Sequence, residues 1–256
     1  IGISLYVQLH LEETPAFREL QAIEAGMDKQ ALADRHEADQ LSSGDVEIHQ
    51  GSPVIAAIRS HPREIVLAAG AFVCVQVSFY IMIAFVVAYG SNPAGLGLDR
   101  NILLAGVLIG SMVQVPFQFM AAAWSDTHGR KGIYSLGAIC AGVWGFAMFP
   151  LIDTGNFWLI VLALAIGQIF IGMMYGPQAA FLAELFSTKV RYSGASMGYQ
   201  LGAIVGGALA PIIATTLWAE LGTIYISAYI ALSAVVTLIS VRLLAETSGQ
   251  SLEHKP

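Results

Sequence analysis

Five stretches of this chain run to membrane length without one charged side chain: residues 66–89, 102–124, 133–152, 157–182 and 194–218. A sixth, residues 223–243, carries only Arg242, near its end. A helix needs about 20 apolar residues to cross the hydrocarbon core of a bilayer. Lipid offers no partner to open backbone N–H and C=O groups, so a spanning segment must close its own hydrogen bonds. The short alternating pattern of a membrane barrel does not occur, which leaves helices. The expected fold is an all-α membrane protein with a six-helix bundle. The composition agrees: 56% of residues are hydrophobic and 12% charged, where a soluble domain carries roughly 25% charged residues.

The remainder of the chain divides around these runs. Residues 1–11 are apolar but half a span long and read as the end of a helix that begins before this sequence. Residues 12–65 are rich in Glu, Asp, Gln and Ala and read as a solvated cytoplasmic loop, either with short helices near 16–24 and 28–38 or as a poorly ordered linker. Within that loop, residues 53–60 read as an amphipathic surface helix, with Ile55 and Ile58 turned inward and Arg59 outward. Residues 66–244 form the bundle and 245–256 a tail. Most of the net charge of −6 lies in residues 12–64, so it is no argument for nucleic acid. Cys74 and Cys140 sit inside apolar runs as small hydrophobes, and no His/Cys cluster has metal-ligand spacing. No cofactor and no catalytic constellation is read, and the chain is not read as an enzyme.

Lysine and arginine placement orients the bundle. If the polar loop Trp124-Ser125-Asp126-Thr127-His128-Gly129-Arg130-Lys131 is cytoplasmic, every Lys and Arg except Arg100 falls on the inner side. The tail is then cytoplasmic as well.

Polar groups within the runs are the candidates for a substrate path. Gln76 and Tyr80 share a helix face, as do Ser111, Gln114 and Gln118, and Gln168, Gly172 and Tyr175. Gln200 lies nearly opposite the glycines of its own run. A buried amide needs a partner or water, so Gln76, Tyr80, Gln114, Gln168, Tyr175 and Gln200 should face the bundle interior or a wet cavity, some as contacts between helices and others as lining of the path. Gly194, Gly198, Gly202 and Gly206 recur every four residues and should form a seam for close helix packing. Pro211 should kink or end that seam, and Gly176-Pro177 should bend or break its helix or leave a harmless kink. Charges of both signs gather at the inner helix ends: Asp126, Arg130 and Lys131; Glu184 and Arg191; Arg242 and Glu246. They read either as ordinary anchoring or as an ion-pair latch.

Several motifs carry a family resemblance. Asp126-Thr127-His128-Gly129-Arg130-Lys131 resembles the loop signature of the major facilitator superfamily, G-x-x-x-D-R-x-G-R-[RK], in its degenerate second copy between helices 8 and 9. Ala122 replaces the leading glycine and Thr127 the first basic residue. Glu13-Thr14-Pro15-Ala16-Phe17 is similar to the segment after helix 6, and Glu246-Thr247-Ser248-Gly249-Gln250-Ser251-Leu252-Glu253 to the segment after helix 12. Glu184-Leu185-Phe186, Val190-Arg191-Tyr192-Ser193-Gly194-Ala195-Ser196 and Gly198-Tyr199-Gln200 resemble the helix 10–11 region of the metabolite:proton symporter branch. That branch carries shikimate, proline/betaine, citrate and α-ketoglutarate. The resemblance implies the C-terminal half of a twelve-helix secondary transporter in a bacterial inner membrane. Its implied partners are a small polar substrate, protons, the bilayer and an N-terminal six-helix half that holds the proton-coupling carboxylates. A uniporter or exporter of the same superfamily, or a non-transporting membrane sensor or structural protein, stands as the alternative.

Overall fold

In the computed structural model, residues 53–186 and 191–244 are described. The expectations for residues 1–52, for Glu246 and the tail, and for the Arg191 side chain lie outside what is described. A short helix α1 (Pro53–Ser60) precedes six long ones: α2 (Pro62–Ser91), α3 (Arg100–His128), α4 (Arg130–Asp153), α5 (Phe157–Glu184), α6 (Tyr192–Leu221) and α7 (Thr223–Leu243). All six are long and apolar enough to cross a membrane. Among the described residues there is no strand. On α1, Ile55 and Ile58 are both exposed.

Local chemistry sets the helix ends. α2 begins at Pro62, four residues ahead of its uncharged run, with proline in the first turn and Glu64 beside it. Proline gives up an N–H that would be unpaired there, and the carboxylate suits the positive end of the helix dipole. Asp99 caps α3 by accepting from Asn101 N at 2.7 Å, and Asn156 caps α5 by accepting from Trp158 N at 3.0 Å. The greatest departure from expectation is the polar loop at 124–131. α3 continues through it to His128 and α4 starts at Arg130, so Gly129 alone separates two long helices. Its φ of 96° and ψ of 149° belong to a region that only glycine enters cheaply.

The helices pack in a chain of neighbours: α3 on α5, α5 on α4, α4 on α7, α7 on α2 and α2 on α6. Tyr134, Phe85, Phe149 and Phe181 are fully buried at the centre. Polar side chains knit the same contacts. Thr237 enters the α2 ladder, accepting from Cys74 N at 3.0 Å and donating to Gly70 O at 3.0 Å. Tyr134 Oη donates to Ala71 O at 3.0 Å. Burial is uneven. Two thirds of the most apolar window of α2 is buried (67%), against 22% in α3 and 28% in α6. These last two helices carry wide apolar faces that require lipid or another protein surface to cover them.

Two small-residue seams set the close contacts. On α6 the expected glycines meet α2: a methyl added at Gly198 would lie 2.7 Å from Ala68 Cβ, one at Gly202 2.9 Å from Ala69 O, and one at Gly206 2.8 Å from Val73 O. Gly194 meets the Phe186 ring instead. A second seam joins α3 to α5. There a methyl at Gly172 would lie 3.2 Å from Gln114 O and one at Gly176 2.8 Å from Ala122 N. Both seams let backbones approach to distances a larger side chain would forbid.

The prolines act differently from one another. α5 continues unbroken through Pro177, so Gly176-Pro177 does not split its helix. α6 is interrupted: a π-helical turn spans Ala203–Ala208, and the helix resumes at Ala210 with Pro211 in its first turn. α2 carries a second π turn at Ile81–Phe85, in contact with the resumed part of α6.

Candidate functional site

A cavity of about 810 Å³ opens between α3, α5 and α6, in the half of the bundle nearer Gly129. That volume suits a small-molecule ligand, for which pockets of roughly 300–1,000 Å³ are usual. Its polar lining is amide and hydroxyl: Gln118 from α3, Tyr175 and Gln178 from α5, and Ser196, Tyr199 and Gln200 from α6. Helix spacing explains the arrangement. Tyr175 and Gln178 are three apart, and Tyr192, Ser196 and Tyr199 fall four and three apart, so each set shares a face. On α6 that polar face lies away from the glycine seam, leaving the seam to α2 and the polar groups to the cavity. The Tyr199 ring packs against Phe72 with centroids 4.5 Å apart.

The expected path residues divide. Tyr175 and Gln200 line the cavity. Gln168 is buried between α5 and α3, its Nε2 3.5 Å from Ser111 Oγ. Gln114 packs against Gly172 in the α3–α5 seam. Gln76 is buried beneath Gly206, and the Tyr80 ring lies over Gly207. These four occupy helix contacts, not the lining of this cavity. Gln178, Ser196, Tyr199 and Gln118 take their place. Gln178 is three residues from Tyr175 and Tyr199 three from Ser196, so helical spacing puts each pair on one face.

At the Gly129 end, part of the expected charge cluster forms. Arg130 Nη1 binds Asp126 Oδ1 one turn earlier, across the helix break, and donates to Ser125 Oγ at 2.9 Å. Arg130 Nη2 donates to Glu184 Oε1 at 3.1 Å. The Arg130 and Glu184 side chains are 13% and 19% exposed, whereas Asp126 is 62% exposed. The Glu184 pair is therefore the one shielded from water and salt. Lys131 Nζ donates to Leu244 O at 2.7 Å and lies 3.4 Å from Arg242 O, satisfying carbonyls at the end of α7. The start of α4 thus joins the ends of α3, α5 and α7.

At the opposite end, Tyr89 Oη donates to Asp153 Oδ1 at 2.7 Å, and its ring meets Trp218 edge to face with centroids 5.2 Å apart. This contact links α2, α4 and α6. Sequence spacing does not announce it, because its members lie on three different helices.

Known proteins of similar sequence carry solutes. The inner membrane metabolite transport protein YhjE of Escherichia coli is 34% identical over 98% of this chain and 52% of its own length. A shikimate transporter of Escherichia coli is 31% identical over 64% of this chain and 37% of its own. A proline/betaine transporter of the same species is 25% identical over 98% of this chain and 47% of its own. The chain thus spans about half the length of the curated relatives it matches. The family model described as sugar (and other) transporter matches residues 4–256. With six apolar helices and that match along nearly its whole length, the chain is an integral membrane protein that belongs to the sugar (and other) transporter family of the major facilitator superfamily.

Proposed function

We propose that the full-length protein is a proton-coupled symporter of a small polar metabolite, such as an organic acid or an osmolyte, working by alternating access. The observation that carries this reading is the cavity between α3, α5 and α6, with its amide and hydroxyl lining. Relatives named for metabolite, shikimate and proline/betaine transport favour solutes of that size and polarity. Alternating access needs two bundles that rock about a central site. The sparsely buried faces of α3 and α6 are the surfaces on which an N-terminal half would bear. That half would supply the coupling carboxylates.

In this reading the Gly129 end faces the cytoplasm of a bacterial inner membrane. Lysine and arginine placement supports it, because Arg100 is the only such residue assigned to the other side. The pairing of Asp126, Arg130 and Glu184 braces the cytoplasmic ends of α3, α4 and α5 and biases the bundle toward one state of the cycle. Full-length protein in proteoliposomes should take up solute when a pH gradient, acid outside, is imposed, and a protonophore should abolish that uptake. Uptake indifferent to the protonophore would refute the coupling, and no uptake of any metabolite tested would refute the transport reading.

A further inference from the structure

Gln178 combines two properties that set it apart from the other cavity residues. It borders the cavity, yet its side chain is almost fully buried (4% exposed) and its Oε1 has no hydrogen-bond partner. A buried carbonyl oxygen without a donor is an unfavourable state. A donor brought into the cavity by an occupant would relieve it. Tyr175 lies one turn earlier on the same face and borders the same cavity. The last torsion of a glutamine is broad and soft, so turning Oε1 from just beneath the cavity wall toward an occupant requires little.

From this geometry we infer that Gln178 is a specificity-determining acceptor, and that the ligand of this cavity must present an O–H or N–H donor to it. The inference rests on the transport reading above and narrows its substrate class. Gln118, Ser196 and Gln200 border the same cavity and supply N–H and O–H donors to the ligand's own acceptors. The aromatic groups do not form a cage for a permethylated cation. One face of Tyr199 is taken by Phe72, and Tyr192 is 87% exposed at the mouth. Cation–π recognition wants a cation seated over open ring faces. Hydrogen-bond readout is also the more selective device: a site built to bond a substrate O–H or N–H strongly rejects the analogue that lacks it, since its own polar group is then left unpaired.

Two matched solute pairs test this on the purified full-length protein. Proline and N,N-dimethylproline differ in N–H donors; trihydroxycyclohexanecarboxylate and cyclohexanecarboxylate differ in O–H donors. Equilibrium binding of all four to the wild type is compared with binding to Gln178→Met. In at least one pair the donor-bearing solute should bind ~10-fold or more tightly than its partner, and Gln178→Met should bring that ratio close to one by weakening the donor-bearing solute alone. The pair that shows the ratio tells N–H from O–H. The wild-type comparison needs no variant, so equal binding within both pairs overturns the inference even if Gln178→Met fails to fold, and Gln178→Asn then serves as the second variant that assigns the acceptor. Equal binding within both pairs, binding of none of the four, or a ratio unchanged in a folded Gln178→Met overturns the inference. The transport reading is judged separately, by uptake under the pH gradient: solutes carried without donor discrimination would leave it standing while this inference fell.

Discussion

Arg130 Nη2 donates to Glu184 Oε1 at 3.1 Å, joining the first residue of α4 to the last of α5. Both side chains are largely withdrawn from solvent, and the same guanidinium also holds Asp126 and Ser125. One side chain therefore gathers three helix ends.

Removing that side chain should destabilise the bundle more than removing either acid. Arg130→Gln is expected to lower unfolding free energy by about 1.5–3 kcal/mol, the range for hydrogen bonds to charged groups. Asp126→Asn should cost under ~1 kcal/mol, because its partner contact is exposed. Thermal unfolding in detergent measures both. A double-mutant cycle between Arg130 and Glu184 should return a coupling energy larger than the cycle between Arg130 and Asp126. Asp126→Asn should alter transport rate more than expression, and a wild-type rate in that variant would count against the latch.

A glycine in the α3–α5 seam and one outside it should respond to substitution in opposite directions. Gly176→Val places new atoms against the Gln118 and Ala122 backbone, and overpacking of this kind costs about 1–3 kcal/mol or more. A methyl at Gly132, on α4, meets nothing within 4 Å, so Gly132→Ala should stabilise by about 0.4–1 kcal/mol through the unfolded chain. Melting temperatures of the two variants should move in opposite directions.

Gly129→Ala tests the single-residue break between α3 and α4. Its positive φ leaves an alanine strained, at a cost of about 1–3 kcal/mol. The loss should appear as reduced thermal stability with the cavity residues untouched. A wild-type melting temperature would show that the break can form by another backbone path.

Tyr89→Phe keeps the ring against Phe85 and Trp218 and removes only the hydroxyl that binds Asp153. The expected loss is about 1.5–3 kcal/mol, since the acceptor is a carboxylate. Asp153→Asn should lose less, because an amide oxygen still accepts. Chemical or thermal unfolding of both variants gives the comparison.

Much of the architecture is legible in the sequence because lipid permits so few solutions. The long apolar runs mark all six helices, and glycines four apart mark the α6–α2 contact. Which polar faces pack against a helix and which open to the cavity is not legible, because spacing identifies a face but not what the face meets. Gln114 and Gln168 fall on the expected shared faces, yet these faces press α3 and α5 together instead of opening to the cavity. The glycines at 172 and 176 form a seam as tight as the one identified, but only two of them stand in register on α5, too few to stand out. Charge alone did not show that 124–131 is helical on both sides of one glycine, because polar residues at a helix end and polar residues in a loop look alike in composition.

The π turn at Ala203–Ala208 amounts to one surplus residue wound into α6. Each residue of a helix advances the phase by about 100°, so everything after the turn is rotated relative to an uninterrupted helix. Ala210 and Ala214, both fully buried, owe their inward position to that slip. Deleting one residue from 203–208 would restore plain α-helix and swing the 210–221 segment about a quarter turn, carrying Ala210 and Ala214 outward and larger neighbours in. This stretch of the chain is therefore sensitive to length before it is sensitive to identity: most replacements keep the count, whereas a single-codon loss would rewrite one whole face of the helix.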